Sequence, residues 1–179
     1  EEYLGRLPSR KRRAVRRERA EVAALGLTFE TLEGAEISDG LIEEFHSGFA
    51  EVCARHGIQP WLQAEAFRQL CRQMPESVLL SAAFQSNRYV AGIFTLRGGA
   101  VLYLDTWSAR NPSPGLSFEL ACYRPIEYAI ANGLHTIDAG LVSGYKGTRG
   151  YTADPVFNAH WFYNERLAAL ATAIIAAEG

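Results

Sequence analysis

A mixed α/β (α+β) domain, with a mostly antiparallel central sheet flanked by helices, is the fold class this sequence predicts. Three observations predict it. Three strand-like runs follow one another between residues 78 and 107, separated only by short polar or glycine breaks, which is the pattern of an antiparallel meander. Helical periodicity brackets that meander, before it at 38–74 and after it at 117–132. A further short strand follows the second bracket, so the order reads β, α, α, three β, α, β, loop, β, α.

Each element has a local reason. Residues 9–25 predict a helix, with Ser9 as N-cap, good helix formers through the middle, and Gly26 to end it. Residues 27–32 alternate and predict a strand. Ser38 and Asp39 offer caps for a second helix, whose Leu41, Phe45, Phe49 and Val52 recur at helical spacing and face a core. Gly57 and Pro60 mark its end, and a third helix covers 64–74 up to Pro75. The meander strands are 78–85, 89–96 and 101–107, broken at Ser86-Asn87 and Gly98-Gly99. After a loop with two prolines, 109–115, comes a helix from Ser117 to Asn132, ended by Gly133. Pro125 lies inside that helix; its ring crowds the carbonyl of Ala121 and predicts a kink. A short strand at 135–139, a glycine-rich irregular stretch at 140–155, a strand at 156–163 and a terminal helix capped by Asn164 complete the reading.

The bulk numbers narrow the function classes. A net charge of −2 excludes a general polyanion binder, yet residues 10–19 (RKRRAVRRER) hold seven of the eighteen Lys and Arg against one Glu. That asymmetry points to a nucleic-acid or phosphate partner, with Arg10, Lys11, Arg12, Arg13, Arg16 and Arg17 as the contacting residues. The alternative is a solvated helix packed on a preceding domain. We divide the chain into a basic N-terminal helix, 1–26, and a domain over 27–179, and expect both to be part of a longer protein. Cys53, Cys71 and Cys122 are odd in number and contain no Cys-x-x-Cys pair, which argues against a disulfide framework or zinc site and fits a reducing cytoplasm. No apolar run is long enough to span a membrane, and no signal-peptide pattern is visible. Walker, Gly-x-Ser-x-Gly and zinc-ligand spacings are likewise absent from the sequence.

The stretch from Gly115 to Trp161 is more specific. It contains Phe118, Glu119, Leu120 and Tyr123, then Ile126 to Ile130, then Gly140, Lys146, Arg149 and Gly150, and finally Ala159, His160 and Trp161. This series resembles the FemAB-like proteins of GNAT type, the family of peptidoglycan biosynthesis or recognition proteins, and the basic N-terminal runs extend the resemblance over most of the chain. The resemblance implies a GNAT-like fold and an N-acyltransferase that forms amide bonds, with aminoacyl-tRNA as donor in Fem-type relatives. Two segments depart from the family pattern. Leu104 to Ser108 stands where a Gly-Arg-Tyr-Trp-Gly run is usual, and Val142 to Tyr145 stands where Gln-Gly-Glu-His is usual. A lost Arg, Gln and His imply a different substrate or a lost activity.

Amide formation from an acyl donor needs an oxyanion stabiliser, a route for the amine proton and a grip on the donor. The grip in an acetyl-CoA enzyme is a glycine-rich turn at a helix N-terminus. Here 108–117 has Gly115 but two prolines without N–H groups, a poor signature for acetyl-CoA. Lys146 and Arg149, in a glycine-rich loop, are suited to a phosphate or carboxylate, the alternative being an exposed basic turn. His160 suits a proton relay, the alternative being a buried histidine with one backbone bond. Glu119 is either a base or a helix-capping charge, and Asp105, in mid-strand, is a second base. Trp107, Tyr123 and Trp161 are candidates for an acceptor pocket, against the simpler reading of core aromatics, and Tyr145 is a further candidate for binding substrate or donor. Cys122 reads as a small buried hydrophobe. We therefore expect a transferase with no permanently bound cofactor and no metal, using aminoacyl-tRNA or acyl-CoA as co-substrate on a small-molecule or peptide amine. The alternatives are a non-catalytic module binding RNA, peptide or a partner domain, and an ordinary acetyl-CoA-dependent acetyltransferase.

Overall fold

The computed structural model describes residues 2–110, 113–140, 144–155, 157, 159 and 161–178. Five strands form one sheet in the order β1-β2-β3-β4-β5: Thr28–Glu33, Val78–Gln85, Arg88–Gly98, Val101–Ala109 and Thr136–Asp138. The first four run antiparallel, and β5 pairs parallel with β4. The central meander follows from its turns. Ser86 and Asn87 both take positive φ, 50° and 61°, the two-residue hairpin geometry whose twist matches the strands it joins. Gly99, at φ 58°, turns β3 into β4.

One sheet face is covered by α3 (Asp39–Arg55) and α4 (Ala64–Gln73). Ser38 starts α3 by accepting the Leu41 N–H at 3.2 Å. Phe45, Phe49, Phe67 and Phe94 interlock edge-on at the centre of this core, with Phe67 and Phe94 centroids 4.9 Å apart. Helix α3 comes very close to β4. A Cβ on Gly48 would sit 2.5 Å from the Ser108 hydroxyl, which donates to the Phe45 carbonyl at 2.6 Å and accepts from Tyr89 at 2.8 Å. Only glycine allows this bonded contact between helix and strand.

Two further helices lie on the other face. Ala83, Ala91 and Ala109 make that face shallow, and Val22, Leu116 and Leu120 pack onto it. Val22 belongs to α2 (Ser9–Ala23), which a short α1 (Glu2–Arg6) precedes. Across the expected boundary at residue 26, α2 thus buries both Val15 and Val22. Ser9 is the first helical residue rather than the cap: Pro8 holds the cap position, and no side chain bonds there.

Leu116 and Leu120 belong to a helix in three parts: α5 (Leu116–Phe118), a wide π turn (Glu119–Tyr123) and α6 (Arg124–Ala131). The expected disturbance at Pro125 takes this form. The Arg124 N–H reaches the Glu119 carbonyl five residues back. The wide turn thus ends on Arg124, the last N–H before the proline. It also turns Glu119, Leu120, Cys122 and Tyr123 inward together.

After β5 the chain forms a single turn, α7 (Gly144–Gly147), and ends in α8 (Glu165–Glu178), whose first N–H groups Asn164 accepts. The strand expected over 156–163 does not form among the described residues: Phe157, Ala159 and 161–163 lie in no strand, and Val156, Asn158 and His160 fall outside the described set. A strand needs an edge to pair with, and β5 offers three residues.

Candidate functional site

Strands β4 and β5 stay together for three residue pairs, Val101 with Thr136, Leu102 with Ile137 and Tyr103 with Asp138. Beyond Tyr103 the outer edge of β4 has no strand partner among the described residues. A β-bulge lies at that point. The register to β3 jumps between Phe94 and Thr95, which leaves Asp105 unpaired between Leu104 and Thr106. Its exposed carboxylate accepts the Thr106 hydroxyl at 2.5 Å. On the β5 side, a cleft of about 240 Å³ is lined by Asp138, Gly140, Lys146, Tyr151 and Asp154, among others. The Lys146 ammonium reaches across it to the Ala139 carbonyl.

The loop that carries Lys146 is held from the far end of the sequence. Inward positions of α2 recur as Lys11, Val15, Glu18 and Val22, a helical stripe in which two of four members are charged. Lys11 donates to the Gly147 carbonyl at 3.3 Å, and Tyr3 from α1 donates to the Arg149 carbonyl at 2.8 Å. Both carboxylate oxygens of Glu18 accept from Nη2 of Arg149, each at 2.8 Å. Arg149 Nε donates to the Tyr123 hydroxyl at 3.1 Å, and Nη1 to the Tyr145 carbonyl and Thr148 hydroxyl at 3.0 and 2.9 Å. All three guanidinium nitrogens are thereby hydrogen-bonded, in a side chain 8% exposed that also stacks 3.5 Å over Phe118. The Tyr123 hydroxyl closes the ring by donating to Glu18.

A second charged station lies one residue further along α2. Arg19 grips the Glu119 carboxylate with Nε and Nη2, both at 3.1 Å, and reaches Glu127 at 2.5 Å. Arg124 lies 3.3 Å from the same Glu119 and stacks 3.9 Å over Phe29, but its buried Nε makes no hydrogen bond. Burial lowers the Arg124 pKa more than Glu119 and Glu127 restore it. Glu119 is only 3% exposed. Arg19 donates one hydrogen bond to each Glu119 oxygen and Arg124 lies against the same group, so the carboxylate turns no free edge toward a reactant.

The residues singled out from sequence are therefore not gathered in one place. Lys146 lines the cleft beside β5, and Asp105 sits in the bulge of β4. Arg149 and Tyr123 lie in the α2 seam, Glu119 in the second station, and Tyr145 packs on Phe118 with centroids 5.5 Å apart. Trp107 packs against the Ala83–Leu120 core, and Trp161 is 83% exposed. His160 lies outside the described residues. Arg10, Arg13, Arg16 and Arg17 form the outward, exposed face of α2, with Lys11 and Arg12 half-buried beside it. Sequence reasoning missed Glu18 and Arg19. The signal was available: Glu18 is the one acid in the basic run, and a lone opposite charge in such a run marks the side that pairs inward.

Burial pushes the phenols of Tyr89, Tyr123 and Tyr151 well above their ordinary 10.0, and the Glu18 carboxylate pushes Tyr123 up further. The folded chain then keeps protons that the unfolded chain gives up from about pH 10, so stability falls as pH rises past that value. Thermal melts should be level from pH 7 to 9 and drop steeply above about pH 10, with a shallower alkaline slope in Tyr123→Phe. Level melts up to pH 11 would contradict this burial.

Among the described residues, no helix is long and apolar enough to cross a membrane, and no group of three or more His, Cys, Asp or Glu is placed to hold a metal ion.

Comparison with known proteins adds the following. The profile of the FemAB-like family, described as peptidoglycan biosynthesis/recognition, matches residues 1–178. No curated protein matches the sequence. An aminoglycoside acetyltransferase from an uncultured soil metagenomic sample, in complex with sisomicin, superposes at a TM-score of 0.56 with 15% identity, over 79% of this chain and 97% of that one. A predicted acetyltransferase from Clostridium acetobutylicum, with acetyl-CoA, gives 0.53 and 14% over 75% and 96%. The C-terminal domain of a putative lysylphosphatidylglycerol synthetase from Agrobacterium fabrum gives 0.57 and 13% over 75% and 43%. At such identities these likenesses establish the shared fold alone, the GNAT-like mixed α/β arrangement expected from the sequence.

Proposed function

Since this chain belongs to the FemAB-like family of peptidoglycan biosynthesis/recognition proteins, we propose that it is an N-acyltransferase joining an acyl or aminoacyl group to an amine acceptor through an amide bond. The parting of β4 and β5 beyond Tyr103, with a bulge at Asp105 beside it, carries the reading. Edge N–H groups of β4 are suited to receive the acyl carbonyl and stabilise the oxyanion that forms when the amine attacks. The bond to the donor's leaving oxygen or sulfur then breaks. Asp105 takes the amine proton, and Lys146 offers positive charge to the donor side of the cleft. His160 keeps its place in this reading as a relay. Trp107 and Tyr145 are assigned to the acceptor side. An amine-bearing peptidoglycan-type peptide is the first acceptor to assay, in keeping with the family description; an amino sugar is the second, after the relative bound to sisomicin.

For the donor, aminoacyl-tRNA is favoured by the outward face of α2. Arg10, Arg13 and Arg17 recur there at i, i+3 and i+7, so they share one exposed stripe. Acyl-CoA is the runner-up, favoured by the relative that holds acetyl-CoA. Against it, the helix N-terminus at Gly115 abuts α2: a Cβ on Gly115 would lie 3.2 Å from Val22.

A gel shift with tRNA across a salt series tests the donor assignment. The wild type should bind with an affinity falling steeply with salt. Changing Arg12, Arg13, Arg16 and Arg17 to Gln should reduce the salt slope by about one for each phosphate contact removed. Aminoacyl transfer to the peptide amine should fall in parallel. Absence of tRNA binding at low salt, with transfer from acyl-CoA, would establish the runner-up. Absence of transfer from either donor would leave a binding module.

A further inference from the structure

The basic segment and the glycine-rich loop lie far apart in sequence, yet one side chain joins them. Glu18 sits on the inward face of the helix whose outward face is basic, and it bonds Arg149 bidentately at 2.8 Å across a separation of 131 residues. Arg149 in turn holds its own loop at the Tyr145 carbonyl and the Thr148 hydroxyl. Those two anchors flank Lys146, whose ammonium lies in the cleft beside β5. The loop has little structure to hold it otherwise: α7 is four residues long, and Gly140, Gly144, Gly147 and Gly150 give its backbone wide freedom. Its position is imposed from α1 and α2, through Tyr3 and Lys11 at its carbonyls and Glu18 at its guanidinium.

We propose that Glu18 is a positioning residue: by aligning Arg149 and Tyr123 it fixes the 144–151 loop, and with it the Lys146 ammonium, in the cleft beside β5. The inference rests on the acyl-transfer reading for its consequence in catalysis, but not for its structural content. Glu18 touches neither donor nor acceptor, so its removal leaves every group in the cleft in place and frees only their alignment. A merely stabilising ion pair would lower the melting temperature alone. A positioning residue loosens one loop and slows one step.

Glu18→Gln keeps the size of the side chain and removes its charge. Glu21→Gln, on the same helix but paired with Arg17 at the surface, is the control. Hydrogen exchange is measured across the full chain, together with kcat and the donor KM for transfer. In Glu18→Gln the amides of 144–151 should exchange about tenfold faster or more while those of β2 and β3 are unchanged. The kcat should fall about tenfold with the donor KM within about threefold, and Glu21→Gln should match wild type. Should Glu18→Gln lose its cooperative melt, Glu18→Asp carries the same test, with a carboxylate one methylene short and an intermediate effect on both readouts. Loop exchange within about twofold of wild type overturns the proposal, as does faster exchange with unchanged kcat. A wild-type chain that transfers from neither donor sinks the acyl-transfer reading instead, and the exchange data still decide whether Glu18 holds the loop.

Discussion

Arg149→Met lowers the folding stability of this chain by about 3–5 kcal/mol, the usual cost of removing one partner from a buried ion pair. The reason is what stays behind. Glu18 keeps a carboxylate with 18% of its side chain exposed, next to the buried Tyr123 hydroxyl; the Thr148 hydroxyl loses its donor, and the Tyr145 carbonyl keeps only the Thr148 hydroxyl. Methionine fills the space over Phe118 but donates nothing. For a chain of this length, that loss is a fall in melting temperature of about 8–15 °C. Urea melts of Arg149→Met, Glu18→Gln and the double variant separate the pair from its surroundings. The double variant should be more stable than the sum of the single losses implies, by more than about 1 kcal/mol. A single-variant loss below about 1 kcal/mol would mean that the guanidinium is hydrated in solution.

Glu119→Gln distinguishes the two roles that sequence offers for this carboxylate. A general base contributes about 10²–10⁴-fold to rate, and its amide would lose that much with the fold intact. The geometry predicts the reverse. The amide side chain would present no charge to Arg19 and Arg124, and stability should drop by about 1–3 kcal/mol, mostly because the half-buried Arg124 guanidinium loses its partner while Arg19 keeps Glu127. Transfer rate per folded molecule should stay within about threefold of wild type. Measuring rate below the onset of melting, against the folded fraction by circular dichroism, keeps the two effects apart. A hundredfold loss of rate with an unchanged melt would restore Glu119 as the base.

Much of the fold was legible because local signals agreed. Ser86-Asn87 and Gly98-Gly99 punctuate alternating runs, and the meander forms where they say. Phe45 and Phe49 keep helical spacing and are buried as that spacing implies. Ser38 and Asn164 cap the helices they precede. Signals failed where a long-range partner decides the outcome. The stripe Lys11, Val15, Glu18, Val22 is half charged, so periodicity of apolar residues does not reveal it. Its charges are satisfied by Arg149 and by the Gly147 carbonyl, more than a hundred residues away. Pro125 announced a disturbance, but whether a helix kinks or widens depends on which residues must face inward, here Glu119 and Tyr123 with their partners on α2. Residues 157–163 alternate well enough for a strand, yet pairing needs an edge, and sequence does not show how short β5 is. For the candidate site itself, Asp105 was singled out as a charge in mid-strand; that it forms a bulge depends on the register with β3.

The seam between α2 and the 144–151 loop also sets the order in which the chain can fold. Its defining bond joins Glu18 to Arg149 across 131 residues, whereas the meander closes through hairpins of a few residues. Contacts between distant parts of a chain cost more loop entropy and form later than local ones. During synthesis Glu18 emerges long before Arg149, so the inward face of the basic helix is completed late: Val22 is covered once the sheet and Leu120 are made, while Glu18 waits for the loop. The same arithmetic runs backwards in the folded molecule. The last contact to form is the first to open, and a protease probing the native chain should find its earliest cuts beside this seam rather than within the sheet.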